Sequence, residues 1–400
     1  MPVMSQRRNA SLAPQTRLVH AARRDYGVVA TPVYHASTVL FDSYADLKRG
    51  EADPLNRERM YYGRMGTPTT RSLEDALCAL DGSVGAVLAP SGVASIAATL
   101  ECFLRPGDEL LMVDAVYGPT RKLCDGLLAE RGIHTRYYDP CIDPEALRGL
   151  CSERTRLLFL ESPGTASFEV QDVPGLAAVA AELGVLSAID NTWATPLFFN
   201  PLEHGVDLAI QSGTKYLNGH ADCLFGVVTT RSQVHYESLR RHVTAQGIHL
   251  APDDAFLAHR GLRTLAVRLA AHDRAGRALA SHLENRPEVS RVLHPAWPGH
   301  PGQAFFQRDF CGASGLFGVV LDGFDEARLG RFLDSLQLFG LGYSWGGFES
   351  LALPMQPQRV AGNGIALRAE QCLLRIHAGL ENVADLCADL DAAFAAAADA

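Results

Sequence analysis

The sequence predicts an α/β protein: a mostly parallel sheet in a large domain, followed by a smaller α+β domain. Three observations predict it. Between residues 85 and 230, short apolar runs alternate with helical patterns, as in a parallel sheet covered on both faces. Near Ala255 this alternation gives way to a long helical stretch and then to isolated strand-like segments. At 400 residues the chain is long enough for two domains.

The elements follow in order. No acid precedes Asp25, whereas Arg7, Arg8, Arg17, Arg23 and Arg24 are basic. This loosely imitates a transit peptide but lacks the apolar centre of a secretory signal. Residues 1–60 are therefore read as an arm of the mature protein. Residues 61–255 are read as the large domain. In it "GAVLAP" is a buried strand and "SGVASIAATLECFL" a helix. "DELLMVD" is a strand and "GPTRKLCDGLLAERG" a helix. "RLLFLES" is a strand and "VPGLAAVAAELG" a helix, and three further strands read "VLSAID", "DLAIQ" and "FGVVTT". Residues 256–400 form the smaller domain. A helical stretch running from Asp253 to Asn285 leads into it; it carries the strand "LFGVVLDGF" and closes on a helix in "ADLCADLDAAFAAAADA" that frays at its end.

Composition removes several classes of function. A net charge of −9 without a basic block argues against nucleic acid. The apolar run from Pro174 to Ile189 carries Glu182 and ends on Asp190, so no segment reads as a membrane span. The nine cysteines are odd in number and never spaced CxxC. That argues against zinc and against a disulfide framework, and for reduced thiols in the cytoplasm. No HxxxH pair sits with acids, so no metal is expected.

Four features carry chemistry. Ser91 and Gly92 lie between a strand and a helix, where main-chain N–H groups favour an anion and glycine lets a phosphate come close. The spacing is not GxGxxG, so a dinucleotide fingerprint is absent. Asp190 ends a strand at the end where ligands collect in such sheets; an isolated aspartate there would be a turn or cap residue. Lys215 follows the next strand, with Ser212 and Thr214 beside it. Tyr62 and Arg64 pair a phenol with a guanidinium, whose planar fork suits phosphate. Singly, each reads as a solvated loop or a turn. Together, a phosphate cup, a carboxylate and an amine suit pyridoxal 5'-phosphate, which takes an amine as a Schiff base and a carboxylate on its ring nitrogen.

The motifs "YYGRMGTPT", "LFLESPG", "IDNTWA", "SGTKYLNGH", "ASGLFGVVL", "YSWGGFESL" and "LLRIHAGLE" resemble the Cys/Met-metabolism family of pyridoxal-phosphate enzymes, and most closely its cystathionine β-lyase branch. The resemblance runs from about Thr16 to the C-terminal helix. It implies an aspartate-aminotransferase-like fold (fold type I) and a homotetramer built from active dimers. It also implies an amino-acid thioether as substrate. Lys215 would be the Schiff-base lysine and Asp190 the partner of the ring nitrogen. Tyr117 would stack on the ring and share in catalysis. Ser91, Gly92, Val93, Ser212 and Thr214 would bind phosphate. Tyr62 and Arg64 would reach the site of a neighbouring subunit. Arg375 would clamp the substrate carboxylate, with Ser344 and Trp345 in the loop beside it.

Two further readings accompany this one. Relatives split or join their substrates at Cγ with the same cofactor residues; they usually carry a smaller aliphatic residue where this chain has Trp345, so the resemblance favours β-elimination. "GYSWG", Gly342 to Gly346, also matches the G-x-S-x-G elbow of serine hydrolases, but His377 precedes Asp385, the wrong order for an elbow. One departure concerns the substrate. Typical bacterial β-lyases offer an acid and a tyrosine to the distal end of cystathionine where this chain has Arg241 and Thr244, which leaves the preferred cysteine S-conjugate open.

Overall fold

The computed structural model describes residues 12–21, 28–361, 367–368 and 370–398. Its centre is a seven-stranded sheet in the order β1-β7-β6-β5-β4-β2-β3. The strands are β1 (Gly85–Ala89), β2 (Glu109–Val113), β3 (His134–Tyr138), β4 (Thr155–Glu161), β5 (Leu186–Asp190), β6 (Leu208–Ser212) and β7 (Gly226–Thr230). Strands β6, β5, β4, β2 and β3 run parallel, and β7 is antiparallel to both β1 and β6. Helices cover both faces, so β1, β2 and β7 are buried along their whole length. That is why they read as continuous apolar runs in the sequence.

In this sheet β3 is the strand that periodicity misses. Its sequence "HTRYY" lies at the sheet edge, with His134 and Arg136 exposed. Little apolar surface is buried there, so little hydrophobic signal is required. The helix expected after β2 is present, but from Cys124 to Leu128 it takes the wider π spacing. The helical stretch from Asp253 to Asn285 is two helices, Pro252–Leu262 and Leu265–Glu284. The break is held from outside: Arg268 donates to the Gly261 carbonyl and the Thr264 hydroxyl at 2.8 and 3.0 Å, and to the Tyr216 carbonyl at 2.8 Å. No sequence period encodes such a break, because it is made by contacts between segments.

The division expected at 255/256 falls inside helix Pro252–Leu262. Ala255, Ala258 and Leu262 of this helix share a core with Leu73 and Leu77 from helix Pro68–Asp81 of the large layer. Leu18 and Ala21, at and just beyond helix Pro14–His20 of the N-terminal arm, join the same core. The transit-like arginines Arg7, Arg8, Arg23 and Arg24 lie outside the described residues, as do the last two residues of the tail.

Beyond Glu284 a second sheet begins, antiparallel and four-stranded, in the order β10-β11-β9-β8. It comprises β8 (Val289–Leu293), β9 (Leu316–Asp322), β10 (Leu351–Met355) and β11 (Gln371–His377). Phe317, Val319 and Leu321 point from β9 into a core with Leu279, Phe332 and Phe394 from three helices. The other face of β9 and β11 leans on the large domain through Val320 and Leu373. β11 thereby brings Arg375 and His377 toward the carboxyl ends of β4, β5 and β6.

Candidate active site

Three strand ends make the floor. In register, Glu161 of β4 sits beside Asp190 of β5, and β6 closes with Ser212. The Asp190 carboxylate takes the Thr192 N–H at 3.0 Å and its hydroxyl at 2.5 Å. The same hydroxyl oxygen accepts the Ser212 N–H at 2.8 Å. Thr192 thus ties β5 to β6 and orients Asp190. Burial raises the Asp190 pKa, against the pull of those two bonds and of Lys215.

Ser91 caps helix Gly92–Phe103, its hydroxyl accepting the Ala94 N–H at 3.1 Å. Gly92 lies so close to β6 that an added Cβ would stand 2.6 Å from the Ser212 Cβ. Real Cβ atoms do not approach that closely, so glycine is required there. The first turn of a twelve-residue helix, with Gly92 and Val93, is thus set against Ser212, an arrangement suited to an anion. The Thr214 hydroxyl, expected to face phosphate, donates to the Phe225 carbonyl at 3.3 Å and accepts its N–H at 3.1 Å.

Lys215 follows β6. Its Nζ donates to the Ser344 hydroxyl at 2.5 Å and stands 5.6 Å from the centre of the Trp345 ring. Burial, and then the charge of Arg375, bring the amine down to about 8, against the opposing pull of Asp190. The loop carrying Ser344 is pressed onto the lysine. Gly346 has φ +86°, and a Cβ there would meet the Tyr216 nitrogen at 2.9 Å. Tyr216 packs against Trp345 with ring centres 5.4 Å apart. Beneath it His377 accepts the Gly346 N–H at 3.1 Å, and burial holds that imidazole neutral, its pKa near 3.

Arg375 is 9% exposed. One terminal nitrogen donates to the Ser344 and Gly342 carbonyls at 2.9 and 3.3 Å. Its buried Nε has no hydrogen-bond partner among the described residues. A guanidinium part-satisfied by carbonyls still has donors for a carboxylate. Tyr117 begins helix Gly118–Leu123, and burial, Asp190 and Glu161 all raise its phenol pKa.

Asp190, Lys215, Ser212, Ser91, Gly92, Tyr117, Ser344, Trp345 and Arg375 therefore converge. Tyr62 and Arg64 do not join them within the chain. Tyr62 is exposed, its hydroxyl accepting from Ser37 at 3.3 Å, and Arg64 donates to the Thr244 carbonyl at 2.7 Å. Sequence reasoning missed Glu161, Thr192 and His377. Their signals were present in "LFLESPG", "IDNTWA" and "LLRIHAG", but a buried acid, threonine or histidine is ordinarily structural. The serine-elbow reading of Gly342–Gly346 is overturned. No helix follows Ser344, its hydroxyl is engaged by Lys215, and His377 faces the main chain of Gly346 and Gly347 rather than the serine.

Residues 15–395 match the model of the family described as Cys/Met metabolism PLP-dependent enzyme. The chain is 41% identical to the cystathionine beta-lyase of Salmonella typhimurium over 95% of this chain and 98% of that one. It is 35% identical to the cystathionine gamma-synthase of Escherichia coli, with coverage of 93% and 94%. The solved cystathionine gamma synthase of Xanthomonas oryzae pv. oryzae, in complex with aminoacrylate and cysteine, superposes with a TM-score of 0.87 at 30% identity, over 97% of this chain and 99% of that one. The chain belongs to the Cys/Met-metabolism family of PLP-dependent enzymes.

Proposed function

We propose that the chain is a carbon–sulfur β-lyase that cleaves cystathionine or a related L-cysteine S-conjugate to a thiol, pyruvate and ammonia. The observation that carries this reading is the amine of Lys215, which donates to Ser344 at 2.5 Å beside the Trp345 indole, its pKa lowered by burial and by Arg375 against the pull of Asp190. Such an amine serves as a base near physiological pH. The donor set fits pyridoxal 5'-phosphate. The glycine-lined turn at Ser91, Gly92 and Val93, with Ser212 and Thr214, would hold the phosphate. Asp190 would face the ring nitrogen, Tyr117 the ring face and Lys215 the aldehyde.

The cofactor, when bound, supplies a sink for the electron pair left at the substrate Cα. The remaining work belongs to the chain. Arg375 binds the substrate carboxylate with the donors its loop carbonyls leave free. Lys215, with its amine free, would take the Cα proton. Ser344 holds the Lys215 nitrogen on the substrate side. The Cβ–S bond then breaks, the sulfur leaves with a proton as the thiol, and water completes the products pyruvate and ammonia. Trp345 narrows the cavity over Lys215. Elimination at Cγ needs a second deprotonation at Cβ, and the indole limits the room for it.

The family resemblance extends to a homotetramer of active dimers in which Tyr62 and Arg64 serve the partner's site. Their position away from Lys215 in their own chain supports that arrangement. Arg241 and Thr244 lie on helix Gln233–Gln246, whose Thr244 carbonyl accepts from Arg64, so a changed preference for the distal end of the substrate would arise from the same partner surface. Nine unpaired cysteines suit a cytoplasmic setting. Keto-acid identification after incubation with cystathionine tests the reaction. Pyruvate is expected. Dominant 2-oxobutyrate would move the chain to the Cγ-acting members of the family.

A further inference from the structure

Glu161 is a buried acid for which the reaction above has no use. It ends β4, and its register partner is Asp190 on β5. Two carboxyl groups therefore lie side by side at the carboxyl edge of the sheet. Their surroundings differ. Asp190 has two donors from Thr192, and Lys215 attracts its charge. Glu161 accepts the main-chain N–H of Tyr117 at 2.8 Å on Oε2, and its Oε1 is bonded to the Thr165 hydroxyl. Among the described residues no lysine, arginine or histidine pairs with it. Its own N–H goes to the Gln171 side chain at 3.2 Å, and the Thr165 N–H is held by the Ala115 carbonyl at 2.8 Å. Glu161 thus links β4, the turn after it, and the turn that begins the Tyr117 helix.

We propose that Glu161 is a positioning residue for the reaction: its carboxyl, bridging the Tyr117 N–H and the Thr165 hydroxyl, fixes the main chain of Tyr117 and so the height and tilt of that ring over the site. Two adjacent buried carboxylates without a cation between them cannot both ionise cheaply. The one nearer Lys215 keeps the charge, and the other keeps the proton. Burial and the Asp190 charge push Glu161 upward, against the pull of the bonds it accepts from Thr165 and Tyr117. A neutral carboxyl offers one acceptor and one O–H donor. In the structure both oxygens accept, from the Tyr117 N–H and from the Thr165 hydroxyl; with a proton on Oε1 the second bond is donated to Thr165 instead. Tyr117 has no side-chain cap on its helix and is 41% exposed, so its placement depends on the main chain beneath it.

The inference rests on the cofactor reading above, and two variants of the intact holoenzyme test it. Glu161→Gln keeps length, an acceptor for Tyr117 and a donor for Thr165, but carries no charge. Glu161→Asp keeps an ionisable carboxyl and withdraws the acceptor by one methylene. Glu161→Asp is expected to lose about 10²-fold in kcat, the scale of a 1 Å misplacement. It should also diminish the visible circular dichroism of the bound cofactor, which reports the ordering of its ring. Glu161→Gln should recover most of both. The reverse ranking would make the charge, not the hydrogen bond, the working feature and overturn the proposal. Equal impairment of the two variants, or no effect in either, would overturn it as well. The comparison is between variants and holds whichever keto acid forms, so a failure of the β-lyase assignment is read separately from the product of the unsubstituted enzyme.

Discussion

Replacing Lys215 by methionine should stabilise the cofactor-free protein at neutral pH. The amine is largely buried, and burial and the Arg375 charge lower its pKa from 10.5 to about 8. At about 1.4 kcal/mol per pH unit, the charged lysine costs the folded state roughly 3 kcal/mol. Methionine removes that cost and keeps the length of the side chain. It also leaves the Ser344 hydroxyl without its amine, a loss of about 1 kcal/mol. The expected net gain at pH 7 is therefore roughly 1–3 kcal/mol. Its pH dependence follows from the proton count. Below the folded pKa near 8, folded and unfolded lysine are both protonated, and the penalty is complete. Between 8 and 10.5 the unfolded chain binds more protons, so raising the pH favours the folded lysine protein. Above 10.5 both forms are neutral, and the advantage of methionine is gone. Urea unfolding of the two cofactor-free proteins, at matched concentration from pH 7 to 10.5, measures the gap. Taking the difference between the proteins cancels the tyrosines and cysteines that titrate in the same range. A methionine variant less stable at pH 7, or a gap that does not close with rising pH, would refute the claim that Lys215 is a destabilised cation. It would also remove the physical reason for Lys215 acting as a base near neutrality.

Other perturbations test other parts of the site. Arg375→Ala should raise KM for the amino-acid substrate by the equivalent of roughly 2–5 kcal/mol, and Arg375→Lys should recover little, because an ammonium cannot form two parallel bonds; unaltered KM in both would exclude the clamp. Gly92→Ala places a Cβ 2.6 Å from the Ser212 Cβ, so cofactor release measured by dialysis and absorbance should accelerate, and native retention would put the phosphate elsewhere. Mixing inactive Arg64→Ala chains with inactive Lys215→Ala chains should restore part of the activity, since one site of each mixed dimer is intact. No recovery despite demonstrated subunit exchange would confine Arg64 to its own chain.

The apolar runs of β1, β2, β4, β5, β6 and β7 were legible because both faces of those strands are buried, which demands apolar side chains with little interruption. The lysine, the aspartate and the glycine turn were legible for a related reason. Chemistry of this kind needs particular groups at strand ends, and strand ends can be located once the strands are. The sequence alone therefore determined the fold class, the kind of cofactor and most of the residues that the fold brings together around Lys215 and Asp190. It did not determine how those residues are held. Glu161 meets Asp190 because β4 and β5 pair in one register. Gly346 reaches the Lys215 main chain from 131 positions away because β10 and β11 return the small domain to the edge of the large sheet. The pKa of Lys215 depends on that return, since the nearby positive charge is Arg375 on β11. Burial and proximity between distant segments are properties of the folded chain; local periodicity carries no record of them, and only the tertiary structure could assign them.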